Sequence, residues 1–384
     1  MANSLFNTRY ILTRDRYPWI DYARGICIIL VCFRHTHEGL ASADILQPNE
    51  HPVLQFLNVF FFSFRMPLFF IISGVFLGAS LKKKGLKLFI EDRFRYIFYP
   101  FLVWGCIQIT MQLVFKGYVN ANRKPIDYLN LLWNPREIEQ FWYLNALFFV
   151  GVTYALIKVK LKLTGLQQLG LGLVLYFLAY FTTVNEIPTG LLGDVFFFYI
   201  FFAVGDNLAS FIIVEEKRKQ ILGRKPLLIL LPIFLVLQYF FSKINLKAGD
   251  DYYVQHLMPV LFAIVAFAGC AFIINFSYLL QELKLFKFLR VIGYHSLFIY
   301  IMHLMVIAAF RALYINVLGQ NNVYVFIIVG ILAGIFIPMV IYNVAERMGA
   351  GWLFELKKKK DLSAEKQNRL KKLNIPKNEK PVIV

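Results

Sequence analysis

The sequence predicts an all-α integral membrane protein: a polytopic helical bundle of about ten transmembrane helices, with both termini in the cytoplasm. Composition is the first observation, since 59% of the 384 residues are hydrophobic and only 17% are charged. Soluble proteins carry about a quarter charged residues, so the composition excludes an ordinary soluble domain. The second is a series of long apolar stretches, and the third is the clustering of Lys and Arg in alternate connections.

Each apolar stretch is a predicted membrane crossing. The predicted crossings cover residues 19–40, 56–80, 96–115, 141–157, 166–182, 191–213, 226–241, 257–280, 295–316 and 323–345, of which the seventh is short. They leave a cytoplasmic N-terminal segment (1–18), a transmembrane domain (19–345) and a basic cytoplasmic tail (346–384). We expect the lysine-rich tail to be disordered and to favour anionic membrane lipids.

The orientation follows from the positive charges in the connections. Connections 81–95, 158–165, 214–225 and 281–294 hold seventeen Lys and Arg, whereas 116–140 and 242–256 on the opposite side hold six. Positively charged connections stay in the cytoplasm, so both termini are predicted inside. This topology accounts for the net charge of +18. No nucleic-acid partner is therefore predicted.

The first predicted crossing carries an unusual polar pattern. Between Arg24 and Arg34 lie nine uncharged residues, which cover roughly 14 Å of a hydrocarbon core about 30 Å thick. At about 100° per residue, one helix face carries Asp21, Arg24, His35 and Glu38, while Arg34 and His37 point elsewhere. Such a face indicates a functional site inside the membrane. The alternative is a helix whose charged ends extend to opposite membrane surfaces.

Other crossings carry polar side chains as well. Arg65, followed by Pro67, lies in the second crossing and needs a carboxylate, carbonyl or water partner, for which Asp21 and Glu38 are candidates. Two roles are open for Arg65, a partner in a structural salt bridge and a catalytic cation. In the ninth crossing one face carries Ser296, Tyr300 and His303, which fits either a channel wall or hydrogen bonding between helices.

The sequence contains no phosphate-binding loop, nucleophile elbow or metal-spaced His/Cys set, so no metal is predicted. Its four cysteines lie in apolar stretches, which fits neither a zinc site nor a disulfide framework. Trp142 and Tyr143 lie at the outer mouth of the fourth crossing, where tryptophan is typical of the interfacial belt or of a carbohydrate platform.

Several motifs in this order resemble the acyltransferase 3 family of bacterial membrane O-acyltransferases, in particular its fucose 4-O-acetylase-like branch. The first motif is Asp21-Tyr22-Ala23-Arg24-Gly25 with His35 further along. The others are MPLFFIISG at 66–74, FWYL at 141–144 and GYHSLFIY at 293–300 with His303. The resemblance covers residues 16–345.

The resemblance implies transfer of an acyl group, expected to be acetyl, from cytoplasmic acyl-CoA to a hydroxyl of a cell-surface or lipid-linked saccharide. Acetyl-CoA is then the expected donor, and an exopolysaccharide is a candidate product. The expected location is the bacterial cytoplasmic (inner) membrane. The roles expected are His35 as general base, Glu38 as its partner and Arg65 as oxyanion stabiliser. Donor binding is assigned to Asp21, Arg24, Arg93 and Arg95, and the acceptor site or channel to Trp142, Tyr143, Ser296, Tyr300 and His303.

Alternatives remain open at this point. A ping-pong route through an acylated residue would use the same groups. A saccharide transporter or flippase of surface-glycan export would also need polar groups in a helical bundle, although no inverted repeat is visible. A structural or assembly subunit would not require the Arg24–His35 face. Acceptor identity, acyl length and oligomeric state do not follow from the sequence.

Overall fold

The computed structural model describes residues 6–13, 17–47, 49–116, 121–319 and 322–356. This part of the chain is helical and contains no strand. The predicted disordered tail covers residues 346–384, of which 357–384 lie outside the described residues. An all-α fold is therefore confirmed for the described chain.

The first half of the chain supplies helices α1 to α8. They are α1 Thr8–Thr13, α2 Pro18–Ala41, α3 Pro52–Phe60, α4 Arg65–Val75, α5 Leu77–Arg93, α6 Tyr99–Val114, α7 Asp127–Trp133 and α8 Trp142–Lys160. A π-helical turn, Phe94–Phe98, joins α5 to α6, and a 3-10 helix, Pro135–Phe141, leads into α8.

The second half supplies helices α9 to α17. They are α9 Gly165–Val184, α10 Leu191–Ile212, α11 Glu215–Ile221, α12 Arg224–Ala248, α13 Tyr253–Leu257, α14 Pro259–Leu283, α15 Phe288–Tyr294, α16 Ser296–Ala312 and α17 Val323–Met348. A π-helical turn follows α16 at Leu313–Val317, and a 3-10 turn lies at Gly351–Leu353.

Within the described residues, nine helical segments are long and apolar enough to cross a membrane, and they correspond to nine of the ten predicted crossings. The multi-pass membrane architecture is thus confirmed. The remaining prediction, helix α2, has 24 residues but is not one of the nine. Its charged side chains lower its apolarity, and most of its residues are buried by other helices. Helix α2 is a central helix of the bundle.

Close backbone contact positions the first turns of α2. A Cβ atom at Gly25 would lie 2.2 Å from the carbonyl oxygen of Leu289, and one at Gly293 would lie 1.8 Å from that of Asp21. Only glycine permits this approach between α2 and α15, as in other tightly packed membrane helices. Helices α14, α16 and α17 also pack on α2. The polar face of α2 is therefore held rigidly inside the protein.

Three predicted elements differ from the structure. The seventh crossing is not short, because α12 runs over 25 residues to a left-handed cap at Gly249. The connection 81–95 is not a loop, because α5 occupies most of it and is broken only at Gly85, whose φ is 72°. The second crossing is two helices, α3 and α4, and Pro67 lies in the first turn of α4, where proline is tolerated.

The described chain also continues past the predicted domain boundary at residue 345. Helix α17 ends at Met348, and the next residues fold back on α6. There the Trp104 indole donates a hydrogen bond of 2.9 Å to the carbonyl of Leu353. The buried ring of Phe354 lies 5.3 Å from the Trp104 ring. Described residues of the predicted tail, 346–356, are thus part of the helical bundle.

Orientation in the membrane gives a first testable prediction. Lys83 is exposed on α5, and the charge distribution predicts that α5 lies on the cytoplasmic side. Lys83→Cys in a Cys106→Ser background, which removes the exposed native cysteine, should resist a membrane-impermeant thiol reagent applied outside intact cells. It should react once the membrane is permeabilised. Labelling of Lys83→Cys from outside intact cells would show that the orientation is opposite to the predicted one.

Candidate active site

Two cavities lie on either side of one tyrosine in the middle of the bundle. The first, here the histidine cavity, has a volume of about 120 Å³ and is lined by His35, Glu38, Arg34, Arg65, Arg136 and Trp142, among others. The second, here the arginine cavity, has a volume of about 290 Å³ and is lined by Arg24, Arg93, Tyr143 and Ser296, among others. Tyr300 lines both.

His35 and Glu38 form a pair on one turn of α2. The Nδ1 atom of His35 lies 3.1 Å from Oε2 of Glu38. A carboxylate accepts from Nδ1–H, so this contact favours the tautomer in which Nε2 carries the free lone pair. Within the described residues no hydrogen bond engages Nε2 of His35. The imidazole is therefore oriented to accept a proton in the histidine cavity.

The prediction that Arg34 points away from this face is wrong. Its guanidinium forms a 2.5 Å ion pair with Glu38 Oε1 and donates a 2.7 Å hydrogen bond to the Tyr252 hydroxyl. Arg34 is four residues from Glu38, and pairs at this spacing meet on a helix surface. The long arginine side chain reaches round the helix from a neighbouring face. Glu38 is consequently held between Arg34 and His35.

The connection before α13 adds charge to the rim of the histidine cavity. Asp251 lies 3.8 Å from the Arg34 guanidinium and accepts hydrogen bonds from Gln55 and Asn58. Burial raises the pKa of the Asp251 carboxyl above its usual value, and the positive charge of Arg34 opposes that rise. Arg34 is thus shared by two carboxylates.

Arg65 enters the histidine cavity from the first residue of α4. Its side chain is 2% exposed and donates a hydrogen bond of 2.9 Å to the carbonyl of Leu30. No ion pair within the described residues joins it to Asp21 or Glu38, the two carboxylates predicted as candidates. Because the Leu30 carbonyl has no net charge, this hydrogen bond leaves the positive charge of the Arg65 guanidinium uncompensated. Arg65 therefore retains hydrogen-bond donors for a group in the cavity.

The 3-10 helix Pro135–Phe141 supplies another side of the histidine cavity. Arg136 forms a 2.5 Å ion pair with Asp194, which is buried at the start of α10. Its guanidinium also lies 4.5 Å from the centre of the Trp142 ring, which stacks on Phe198. These contacts hold Trp142 in the wall of the histidine cavity. A carbohydrate that stacked on the Trp142 ring would compete with Arg136 and Phe198 for it.

Arg24 is one of the two arginines that line the arginine cavity. Within the described residues it has no hydrogen-bond or ion-pair partner, although it is only partly exposed. Arg93 lines the same cavity but already donates to Ser73 Oγ at 2.6 Å and to the Leu147 carbonyl at 3.1 Å. An unpaired guanidinium in a cavity favours an anionic ligand such as a phosphate.

Two residues predicted for donor binding line neither cavity. Asp21 is buried where α2 meets α15. Arg95 is turned toward the end of the chain, where its side chain donates to the carbonyl of Leu356 and pairs with Asp92 at 3.8 Å. The resemblance grouped Arg95 with Arg93, but the two residues are only two positions apart, and side chains at that spacing do not face each other on a helix.

Two residues of the predicted face of α16 line the cavities, whereas the third, His303, lines neither. The buried Ser296 hydroxyl lines the arginine cavity and has no hydrogen-bond partner in the described chain. His303 is fully buried, and its ring centre lies 5.1 Å from that of His35. His303 Nδ1 contacts the Tyr300 carbonyl at 2.7 Å, which leaves Nε2 without a partner among the described residues. The structure thus brings the α2 and α16 stripes together.

Sequence reasoning missed Arg34, Arg136 and Asp194 as parts of the site. The i,i+4 spacing of Arg34 and Glu38 was a usable signal. By contrast, no local pattern links Arg136 with Asp194, because the two residues meet only after the outer connection packs on α10. Among the described residues, no group of three or more His, Cys, Asp and Glu is placed to hold a metal ion.

Comparison with known proteins agrees with this architecture. The family model for the acyltransferase domain of the acyltransferase 3 family matches residues 17–343. The chain belongs to this family and is a membrane acyltransferase. The matched region begins just before α2 and ends within α17, so it contains both cavities. No curated protein and no solved structure matches the chain.

Proposed function

We propose that the protein transfers an acyl group, preferentially acetyl, from cytoplasmic acyl-CoA to a hydroxyl of a cell-surface or lipid-linked saccharide. One observation carries this proposal: α2 presents Arg24 to the arginine cavity and His35 to the histidine cavity. A helix rises about 1.5 Å per residue, so the two groups are roughly 16 Å apart along the axis. That separation suits a donor and an acceptor arriving from opposite sides of a bacterial cytoplasmic membrane.

The arginine cavity supports the assignment of the donor. Acyl-CoA carries several phosphate charges at one end and a thioester at the other, joined by a long pantetheine arm. Arg24 has no partner to displace in the described part of the chain, and guanidinium groups bind phosphate through two parallel hydrogen bonds. The aromatic and aliphatic lining around Phe69 and Ile72 suits the arm. The thioester then points toward Tyr300 and the histidine cavity.

The histidine cavity supports the chemistry. Nε2 of His35 takes the proton of the acceptor hydroxyl as its oxygen attacks the thioester carbonyl carbon. Glu38 stabilises the imidazolium that forms, and Arg65 donates to the oxyanion of the tetrahedral intermediate. Collapse of the intermediate breaks the carbon–sulfur bond, and the imidazolium proton passes to the CoA thiolate. The products are the ester and free CoA, with His35 neutral again.

The lining of the histidine cavity fits a polyhydroxylated acceptor. It combines the aromatic rings of Trp142 and Tyr252 with the hydrogen-bonding side chains of Arg136 and Gln255. Ligand sites commonly join such apolar walls to a few polar groups that fix orientation. The saccharide class itself rests on the family resemblance described above.

Donor binding by the purified protein tests this proposal. Arg24→Gln removes the unpaired guanidinium, and a charged hydrogen bond contributes roughly 1.5–3 kcal/mol. The variant should therefore bind acetyl-CoA about 10- to 150-fold more weakly. Binding of acetyl-pantetheine, which lacks the nucleotide and its phosphates, should hardly change. Calorimetry or competition binding measures both affinities.

A matched charge change serves as the control. Lys82 is an exposed cation on α5 that lines neither cavity, so Lys82→Gln should leave both affinities near those of the unmodified protein. Equal losses of acetyl-CoA and acetyl-pantetheine binding in Arg24→Gln would show that Arg24 is structural. An unmodified protein that binds neither thioester would contradict acyl-CoA as the donor.

A further inference from the structure

Tyr300 occupies the boundary between the two cavities. Among the residues that the structure describes it alone lines both of them, and its side chain is only 3% exposed. Building on the function proposed above, we propose that the Tyr300 ring is a barrier. It keeps water and hydroxyl groups of the histidine cavity away from the thioester held in the arginine cavity.

Aromatic rings hold the Tyr300 ring on both sides. Its centre lies 4.9 Å from the ring of Tyr143, which lines the arginine cavity. It lies 5.7 Å from the ring of His303, which is beside His35. The contact with Tyr143 is edge-to-face and that with His303 is tilted, and aromatic contacts at these distances are favourable. The ring therefore has a defined position between the donor side and the proton-accepting imidazole.

A hydrogen bond to an unusual backbone segment locks this position. The Tyr300 hydroxyl donates to the carbonyl of Gln140 in the 3-10 helix Pro135–Phe141. The preceding residue, Glu139, has a φ of 50°, which an L-residue adopts only when its surroundings hold it there. Its carboxylate does receive several hydrogen bonds, from Gln108, Gln112 and Arg123. The carbonyl that accepts from Tyr300 is thus fixed by a strained and anchored turn.

The barrier has a chemical purpose. A thioester exposed to water near a general base is hydrolysed: the water oxygen bonds to the carbonyl carbon, the carbon–sulfur bond breaks, and an acid and free CoA form. Excluding water from reactive groups prevents such side reactions. Rotation of the Tyr300 ring breaks its hydrogen bond to Gln140 and joins the two cavities. The thioester then meets His35 and the acceptor.

Uncoupled hydrolysis provides the first test. Tyr300→Phe keeps the ring but loses the hydrogen bond, so acetyl-CoA hydrolysis without acceptor should rise about fivefold. Tyr300→Ala removes the ring and should raise hydrolysis further, relative to transfer. Tyr176→Phe is the matched control, because the Tyr176 hydroxyl also donates to a backbone carbonyl, that of Pro259 at 2.8 Å, and lines neither cavity. It should leave the ratio of hydrolysis to transfer unchanged.

Thiol accessibility provides a second test that does not depend on catalysis. Ser296→Cys in the Cys106→Ser background places a thiol in the arginine cavity, four residues from Tyr300. In proteoliposomes, a small charged thiol reagent added only on the side of connection 116–140 should label this thiol slowly. Labelling should accelerate when Tyr300→Ala is added and not when Tyr176→Phe is added.

The two measurements separate the barrier from the function on which it rests. Unchanged labelling and an unchanged ratio of hydrolysis to transfer in Tyr300→Ala would overturn the barrier while leaving acyl transfer intact. If the unmodified protein neither binds nor consumes acetyl-CoA, the proposed function fails, and accelerated labelling still supports the barrier.

Discussion

Replacing His35 by alanine is expected to lower the rate of acyl transfer by about 10²–10⁴-fold, the contribution of a positioned general base. Glu38 holds Nδ1 of the imidazole at 3.1 Å, so the opposite nitrogen is the one available to the acceptor hydroxyl. Acyl-CoA binding should stay near normal, because the donor phosphates are assigned to the arginine cavity. Single-turnover transfer by purified protein under saturating donor measures the chemical step directly.

Two further variants sharpen this result. His37→Ala should retain most activity, because His37 lies on another face of α2 and lines neither cavity. Glu38→Gln should reduce transfer less than His35→Ala does if Glu38 only orients the ring and stabilises its cation. A folded His35→Ala protein that transfers at the unmodified rate would show that another group is the base. His303, whose ring is 5.1 Å away, would then be tested next.

Replacing Arg65 by glutamine is expected to lower kcat by about 10²–10³-fold, the loss seen when one oxyanion donor is removed. The Arg65 side chain is buried in the wall of the histidine cavity, and its hydrogen bond to the Leu30 carbonyl uses one nitrogen, Nη1. Donor affinity should change little, because the oxyanion exists only after attack on the thioester. Arg65→Lys, which keeps the charge without the planar guanidinium, should restore part of the rate.

A structural role for Arg65 would give a different pattern. Arg290 is also a buried arginine whose guanidinium donates to backbone carbonyls, those of Ile11 and Leu12, and it lines neither cavity. Arg290→Gln therefore controls for the loss of such an anchor. If both glutamine variants lose activity only in proportion to lost folded protein, and Arg65→Lys restores nothing, Arg65 is an anchor for α4 and not an oxyanion donor.

The sequence by itself determined the membrane class, the approximate position of most helices and the polar stripes on single helices. Apolar length and helical periodicity are local properties, so they require no knowledge of neighbouring segments. The pairing of His35 with Glu38 follows from their three-residue spacing alone. For the same reason Ser296, Tyr300 and His303 were assigned correctly to one face of α16.

Position around the helix did not predict the contacts of two arginines. Arg34 was assigned to another face, yet its long side chain reaches Glu38. Arg95 was grouped with Arg93 through the family resemblance, yet residues two apart do not face each other on a helix, and Arg95 donates to the Leu356 carbonyl instead. A helical wheel treats each side chain as a point, and this assumption does not hold for a side chain as long as arginine.

Only the tertiary structure decided how the stripes meet. The approach of Gly25 and Gly293 sets the position of α2 against α15, and the chain then returns as α16 with His303 beside His35. The division into two cavities, with Tyr300 hydrogen bonded to Gln140 between them, joins residues 160 positions apart. Periodicity within one helix gives the direction of a side chain around its own axis. It contains no information about which other helix lies in that direction, so the site itself emerges only from packing.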